Sequence, residues 1–240
     1  FYEFLDAPLS WQWSFQDSAS PIMSAISYLH NTVMCIMSVI LVWVAYFLFM
    51  ILFQKESPEV LGKVNSQWSV QSPSVQEEST LLEIVWTLTP AAILILIAIP
   101  SFGLLYAIDE TIEPGFTVKV LGHQWFWSYE IAGDQDYNVH AYDSYMVPES
   151  DISNGYPRQL HVDNSVVVPV ATHLRFIITS TDVIHSWAVP SLAIKVDAVP
   201  GRLTETSTLI TRPGSFYGQC SEICGIKHGS MPILVNAALV

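Results

Sequence analysis

Residues 32–53 read TVMCIMSVILVWVAYFLFMILF, an uncharged run of 22 residues. As a helix this run is ~33 Å long, which is enough to cross the hydrocarbon core of a bilayer. Ser20 followed by Pro21 is typical of a helix N-terminus, because serine caps helices and proline suits the first helical position. We therefore predict a membrane helix at about residues 21–54, preceded by a tail at residues 1–20.

A second apolar stretch follows, interrupted only by Glu83 and two prolines. Prolines kink membrane helices without ending them, so we predict a second helix at about residues 80–108. Residues 55–79 are polar and are predicted to form the loop of this transmembrane hairpin, which spans residues 21–108. The loop contains two lysines, whereas residues 1–31 contain no Lys or Arg. The tail and the segment after the second helix should therefore both face outward.

Composition agrees with a membrane protein, since 51% of the residues are hydrophobic and only 13% are charged. Acidic residues outnumber basic ones by 22 to 9, giving a net charge of −13. Such a surface repels nucleic acid, which we exclude as a partner, and favours a basic protein partner.

Residues 109–240 have the features of an all-β domain. Short runs at 118–121, 125–131, 160–170, 173–179 and 206–211 are rich in β-branched and aromatic residues. Turn-forming residues separate several of these runs. Seven or more short strands in this length predict a Greek-key sandwich or barrel.

Residues 220–231 read CSEICGIKHGSM and carry the donor atoms that copper favours. Two thiolates can bridge two copper ions, and each ion then needs one imidazole. His228 can supply one and the distant His185 the other. Met231 and the backbone carbonyl of Glu222 remain as weak axial ligands. This count predicts a two-copper centre that transfers single electrons.

Two other interpretations of this segment stay open on the residues alone. Cys220 and Cys224 could form a disulfide in an oxidising compartment, although His228 and Met231 would then have no role. A tetrahedral zinc site is also possible, but paired cysteines in zinc sites more often have two residues between them and thioethers rarely bind zinc.

Longer motifs resemble the cytochrome c oxidase subunit II family. They follow in order along the chain and are GHQWFWSYE (122–130), VDN (162–164), HSWAVPSL (185–192), DAVPGRL (197–203) and GQCSEICG (218–225). The resemblance implies a cupredoxin fold for residues 109–240. It also implies a CuA centre that accepts electrons from reduced cytochrome c and passes them to haem in subunit I, where oxygen is reduced and protons are pumped.

Several residue roles are implied by the same resemblance. The six copper donors are His185, Cys220, Glu222, Cys224, His228 and Met231, and the Glu222 side chain matches a ligand of magnesium at the subunit I boundary. Trp125 matches the aromatic residue where electrons enter. Glu130, Asp143 and Asp182 match acids that dock cytochrome c, although each could be an ordinary surface charge. Glu83 matches the entrance of a proton path, and Thr80 to Glu83 also fits a helix capping box.

The resemblance implies a multi-pass protein of the mitochondrial inner membrane, with both termini in the intermembrane space and other oxidase subunits as partners. A bacterial plasma membrane with a periplasmic domain is the alternative. The sequence begins at Phe1 instead of Met, which favours a processed mitochondrial chain. The main rival function is a copper-delivery or thiol-redox protein, for which we would expect one anchor and alternating strands and helices.

Overall fold

The computed structural model describes residues 5–53, 79–132, 139–153 and 155–239. The chain divides into two compact units. One unit is Leu29–Gly103, and the other joins Phe1–Tyr28 to Leu104–Val240. We call the second unit the outer domain.

Two long helices contain the apolar stretches. Helix α1 is Pro21–Phe53 and helix α2 is Thr80–Asp109, against predictions of 21–54 and 80–108. Both are long and apolar enough to cross a membrane. Apart from Ser79, the predicted loop at 55–79 lies outside the described residues.

The caps at the two helix starts differ in how well the sequence predicted them. The hydroxyl of Ser20 accepts a hydrogen bond from the backbone N–H of Met23 at 3.1 Å, which confirms the predicted N-cap of α1. At α2 the capping hydroxyl belongs to Ser79, which accepts from the N–H of Leu82 at 3.4 Å. The capping box predicted from Thr80 to Glu83 is wrong, because the helix begins one residue too early for Glu83 to occupy the third helical position.

The outer domain is built from β-strands. They are β1 (Leu5–Asp6), β2 (Phe116–His123), β3 (Phe126–Ala132), β4 (Val139–Ser144), β5 (Val166–Pro169), β6 (His173–Ser180), β7 (His185–Val189), β8 (Ile194–Ala198), β9 (Thr204–Leu209), β10 (Gly214–Gln219) and β11 (Pro232–Ala238). One sheet has the order β4-β3-β2-β6-β9 and another the order β1-β10-β11-β5, while β7 and β8 form a hairpin. The predicted fold class, two membrane helices followed by an all-β cupredoxin-like domain, is confirmed.

Alternating side chains from both sheets fill the core of the outer domain. On β2, Val118 and Val120 are buried while their neighbours are not, as expected for a strand with one face inward. Trp127 and Trp187 are the largest side chains with no exposed surface. Fully burying a side chain such as Val118 or Val120 stabilises a domain by about 1.5–3 kcal/mol. Packing in this core therefore holds the strands of the outer domain together.

The N-terminal segment, predicted as a tail at residues 1–20, belongs to the outer domain. Strand β1 pairs in parallel with β10, and Asp6 forms an ion pair with Arg212. The N–H of Ala19 donates to the carbonyl of Ser191 at 2.9 Å. These contacts join the residues before α1 to a sheet made by the residues after α2.

The run predicted as a strand at 160–170 is regular only at Val166–Pro169. Upstream of it, the carboxylate of Asp163 accepts from the backbone N–H groups of Tyr145 and Asn164, both at 2.7 Å. A short side chain that captures nearby backbone donors favours a turn over a strand. The prediction was therefore too long at its N-terminal end.

Candidate metal centre

The predicted donor residues meet at one end of the outer domain. His185 is the first residue of β7, and Cys220 directly follows β10. The N–H of Ser221 donates to the carbonyl of Ser186 at 3.0 Å, which fixes the start of the 220–231 loop against β7. The loop then ends at β11, so both of its ends are held by strands.

The donor atoms form two sets, each centred on one thiol. Sγ of Cys220 lies 3.9 Å from Nδ1 of His185 and 3.4 Å from the carbonyl oxygen of Glu222. The second thiol, Cys224, has its own imidazole and its own weak donor. Its Sγ lies 3.4 Å from Nδ1 of His228 and 3.5 Å from Sδ of Met231.

The two sets are close enough to act together. The donor atoms of His185, Cys220 and Cys224 all lie within 4.8 Å of one another. Both cysteines are free thiols, so the structure does not contain the disulfide considered from the sequence. Six donors, with the thiols in the middle, fit a pair of soft or borderline metal ions better than a single ion.

Burial and neighbouring groups shift the pKa values of the two thiols in opposite directions. Burial raises the pKa of Cys220, but hydrogen bonds with His185, Ser186, Glu222 and His228 together outweigh it and lower the pKa of this thiol to about 7. Burial and the neighbouring Cys220 raise the pKa of Cys224. A metal ion binds the thiolate form, so Cys220 is the thiol that is more readily deprotonated for binding.

The carboxylate of Asp182 holds the imidazole of His185 from the side away from the thiols. Nε2 of His185 donates to Oδ1 of Asp182 at 2.8 Å, which leaves Nδ1 facing Cys220. Asp182 also accepts from the backbone N–H groups of Val183 at 2.6 Å and Gln124 at 2.7 Å. Partial burial raises the pKa of Asp182, but these hydrogen bonds outweigh it and lower the pKa. Asp182 therefore acts as a carboxylate partner of a candidate ligand, a contact that the docking prediction did not include.

Trp125 lies directly against the loop. Its indole Nε1 donates to the carbonyl oxygen of Cys224 at 3.2 Å, and the Nε2 of Gln124 donates to the same oxygen at 2.9 Å. Gly225 has a φ of +122°, and a Cβ on it would lie 3.0 Å from the Trp125 ring. A glycine at this position therefore allows both the loop conformation and the close approach of the indole.

Two more residues shape the space around the donors. A Cβ on Gly122 would lie 2.9 Å from Cδ2 of His185, so the imidazole rests directly on the β2 backbone. The indole of Trp127 donates to the carbonyl of Met231 at 3.2 Å. Trp127 has no exposed surface and packs in the core of the outer domain.

The other two predicted docking acids lie on the β3–β4 face. Glu130 forms an ion pair with Lys119 at 2.9 Å, and both side chains are partly exposed. Asp143 is exposed and accepts from the hydroxyl of Ser128 at 2.6 Å. These acids remain accessible, but the charge of Glu130 is partly balanced by Lys119.

The remaining predicted sites stand apart from the loop or at its surface. Glu83 lies in the first turn of α2 with an exposed side chain. Glu222 has a half-buried side chain, while its carbonyl belongs to the Cys220 set.

The residues that form hydrogen bonds to the donors were not predicted from the sequence. Gln124 was quoted within a motif but given no role, although it stands next to Trp125. Asp182 was assigned to docking, although its spacing three residues before His185 was a possible signal of a histidine partner. The contacts of Gln124 with Asp182 and Cys224 span 58 and 100 residues, which no local pattern encodes.

Comparison with known proteins gives a consistent result over nearly the whole chain. Residues 116–238 match the family model for the cytochrome c oxidase subunit II periplasmic domain, and residues 8–104 match that for its transmembrane domain. Cytochrome c oxidase subunit 2 of Chondrus crispus is 50% identical over 234 residues, which cover 97% of this chain and 88% of the relative. Mitochondrial cytochrome c oxidase subunit 2 of Vigna unguiculata is 50% identical over 240 residues, covering 97% of this chain and 60% of that relative.

A solved structure is also similar to part of this chain. It is the periplasmic domain of subunit II of cytochrome oxidase from Bradyrhizobium japonicum. Its sequence is 41% identical, the TM-score is 0.49, and the match covers 54% of this chain and 88% of that structure.

Proposed function

This chain belongs to the cytochrome c oxidase subunit II family, and we propose that its outer domain accepts electrons for that oxidase. In this proposal the donors at residue 185 and in residues 220–231 would hold a pair of copper ions, which would supply one-electron transfer from reduced cytochrome c towards haem in subunit I. The observation that carries the proposal is the pairing of donors, in which each of the thiols Cys220 and Cys224 has its own imidazole and its own weak donor.

Donor chemistry favours copper over the alternatives. A structural zinc site would use only the two thiols and the two imidazoles, so the thioether of Met231, 3.5 Å from a thiol, would have no role in it. Soft sulfur donors combined with imidazoles suit copper. The two anchors and the all-β domain also argue against the copper-delivery and thiol-redox class, for which one anchor and alternating strands and helices were expected.

Trp125 is the residue at which we propose that electrons enter. Its ring is partly buried, and its Nε1 contacts the Cys224 carbonyl at 3.2 Å. The contact gives a route of one hydrogen bond from the indole to the backbone of a proposed copper ligand. An electron donor docked over the indole would therefore be close to the centre without touching it.

The proposed electron donor is a basic protein, cytochrome c, and acids of the outer domain steer it. From Asp109 onward the chain has 14 acidic and 7 basic residues, a net of −7. Glu130 and Asp143 are the proposed docking acids on the β3–β4 face. Asp182 is also exposed in part, so it contributes charge to docking while its carboxylate holds His185. Charge complementarity of this kind increases association rates and weakens with salt.

Glu222 is proposed to serve two metals with different atoms. Its carbonyl belongs to the copper donors, and its carboxylate supplies a hard oxygen of the type that magnesium prefers. In this proposal the magnesium ion is shared with subunit I, and oxygen reduction takes place in subunit I rather than in this chain.

Glu83 is proposed as the entrance of a proton path. Its side chain does not form the predicted capping box, so capping does not explain an acid in the first turn of a membrane helix. An ionisable residue in such a helix is a functional candidate on physical grounds.

We propose that the protein resides in the mitochondrial inner membrane with the outer domain in the intermembrane space. Strand β1 precedes the first helix and pairs with β10 after the second, so both segments lie on the same side of a membrane that the helices cross. The lack of Lys and Arg in residues 1–31 favours the outward side. The mitochondrial relative from Vigna unguiculata supports the compartment.

The experiment uses the full chain, purified in detergent and loaded with copper. Reduced cytochrome c is mixed with it anaerobically, and cytochrome oxidation is followed by stopped-flow absorbance at several salt concentrations. We expect rapid oxidation that slows as salt increases. A variant with both Cys220→Ser and Cys224→Ser is the control and should not oxidise cytochrome c. Absence of oxidation by a wild-type chain that holds copper would contradict the proposal.

A further inference from the structure

Gln124 lies in the turn between β2 and β3, where it contacts the candidate ligand Cys224 directly and the candidate ligand His185 through Asp182. Its side-chain Nε2 donates to the carbonyl oxygen of Cys224 at 2.9 Å. Its backbone N–H donates to Oδ2 of Asp182 at 2.7 Å. The other oxygen of Asp182 accepts from Nε2 of His185 at 2.8 Å. One residue thus connects a candidate ligand of the loop with a candidate ligand of β7.

The Cys224 carbonyl oxygen is contacted both by the Gln124 side chain and by the Trp125 indole. A carbonyl oxygen has two lone pairs, and here it accepts from both Gln124 and Trp125. Because both donors come from consecutive residues, the orientation of this peptide group is fixed from the side of the β2–β3 turn. Losing the Gln124 donor would leave the indole as the remaining described partner of this oxygen.

We propose that Gln124 is a positioning residue of the centre, whose carboxamide fixes the Cys224 peptide and with it the thiol and the Trp125 indole. The inference rests on the copper pair of the proposed function. Gln124 is not a ligand in this account, because the amide nitrogen that faces the loop acts as a hydrogen-bond donor. Its effect on the centre passes through Cys224 and, by its backbone, through Asp182.

An electrostatic consequence separates this role from simple packing. The N–H group of Gln124 points its positive end at the Cys224 carbonyl, which favours the more electron-rich, reduced state of the centre. Removing that donor should lower the reduction potential, since hydrogen bonds around a metal site tune its potential. Gln124→Met keeps the length of the side chain without the donor. Gln124→Glu replaces the donor with a negative charge and should lower the potential further.

The experiment compares full chains in detergent after loading with copper. Reduction potentials are measured by voltammetry, and copper retention is measured as the half-life of bound copper in excess chelator. We expect the Gln124→Met half-life to fall about tenfold, as is typical when a residue that orients a metal ligand is lost. We also expect the potentials to decrease in the order wild type, Gln124→Met, Gln124→Glu. Gln159→Met is the matched control, because Gln159 is exposed and lies outside the ligand loop.

The outcomes distinguish this inference from the function on which it rests. A wild-type chain that holds no copper pair would overturn both. A wild-type pair together with an unchanged half-life and potential in Gln124→Met would overturn the positioning role alone. Equal potentials in the two variants would also overturn it, because loosened packing shortens retention without ordering the potentials by charge. If Gln124→Met does not fold, the comparison of wild type with Gln124→Glu decides.

Discussion

Nε2 of His185 donates to the carboxylate of Asp182 at 2.8 Å, and Nδ1 of the same ring faces Sγ of Cys220 at 3.9 Å. The hydrogen bond therefore selects which ring nitrogen is available to a metal. This arrangement is the usual way in which proteins orient a histidine ligand. It gives Asp182 a structural function in addition to any contribution of its charge to docking.

Replacing Asp182 tests this orientation. In Asp182→Asn the new amide cannot accept from both the Gln124 N–H and the His185 ring as the carboxylate does. We expect copper to dissociate from the full chain about 10-fold faster, in line with losses of other histidine partners. Chelator competition measures the rate. Asp151→Asn, at an exposed acid in a separate turn, should behave like wild type. Equal copper dissociation rates in the two variants would show that Asp182 does not help to hold the metal.

Docking charges should affect association without affecting the metal. We expect Asp143→Asn and Glu130→Gln to keep their copper while the association rate with cytochrome c falls several-fold at low salt. The difference from wild type should shrink as salt increases, because the Debye length is then shorter than the charge separation. Stopped-flow rates over a salt series measure this. A loss that is independent of salt would mean that these acids do not act by steering.

Trp125→Phe should slow electron transfer into the centre without affecting copper binding. Phenylalanine keeps an aromatic ring but lacks the N–H that donates to the Cys224 carbonyl. We expect copper content to be retained and the rate of electron transfer from docked cytochrome c to fall strongly. Trp13→Phe is the control, since Trp13 is fully exposed in the N-terminal segment. A normal transfer rate in Trp125→Phe would show that electrons enter elsewhere.

Glu83→Gln tests the proton path. Because Ser79 provides the hydroxyl cap of α2, the loss of the Glu83 charge should leave the helix start intact. We expect turnover and proton uptake of the assembled oxidase to fall while its subunit content stays normal. Oxygen consumption measures turnover, and the pH change inside reconstituted vesicles measures proton uptake. Unchanged values for both would leave Glu83 without this role.

Ser20→Ala tests the attachment of the N-terminal segment. The Ser20 hydroxyl accepts from the Met23 N–H at 3.1 Å and donates to the Leu192 carbonyl at 2.9 Å. We expect a loss of about 1 kcal/mol for the cap and about 1 kcal/mol for the second bond. Urea unfolding of the full chain in detergent, followed by tryptophan fluorescence, measures the loss. Ser14→Ala, at an exposed serine, should be neutral, and a neutral Ser20→Ala would contradict the attachment.

Local patterns predicted the parts of this protein that depend on neighbouring residues. The apolar runs identified both helices, and Ser20 with Pro21 marked the first helix start correctly. The cluster of cysteine, histidine and methionine side chains in residues 220–231 was predictable because its members lie close together in sequence. Two loop donors, Cys224 and Met231, do lie within 3.5 Å of each other.

The features that were missed depend on residues far apart in sequence. Strand β1 has only two residues, so no periodicity identifies it, and its pairing with β10 joins positions more than 200 residues apart. The hydrogen bonds of Gln124 and Asp182 likewise arise only when separate turns meet at one end of the sandwich. A carboxylate or an amide has many possible partners, so residue type alone does not select among them.

The copper content of the full chain tests the central proposal most directly. The chain is purified in detergent without other subunits, loaded with copper, freed of loosely bound ions, and examined by metal analysis and EPR spectroscopy. We expect two copper ions per chain and a mixed-valence signal in which one unpaired electron is shared by both. One copper ion per chain, or a signal from an isolated copper ion, would contradict the two-copper centre.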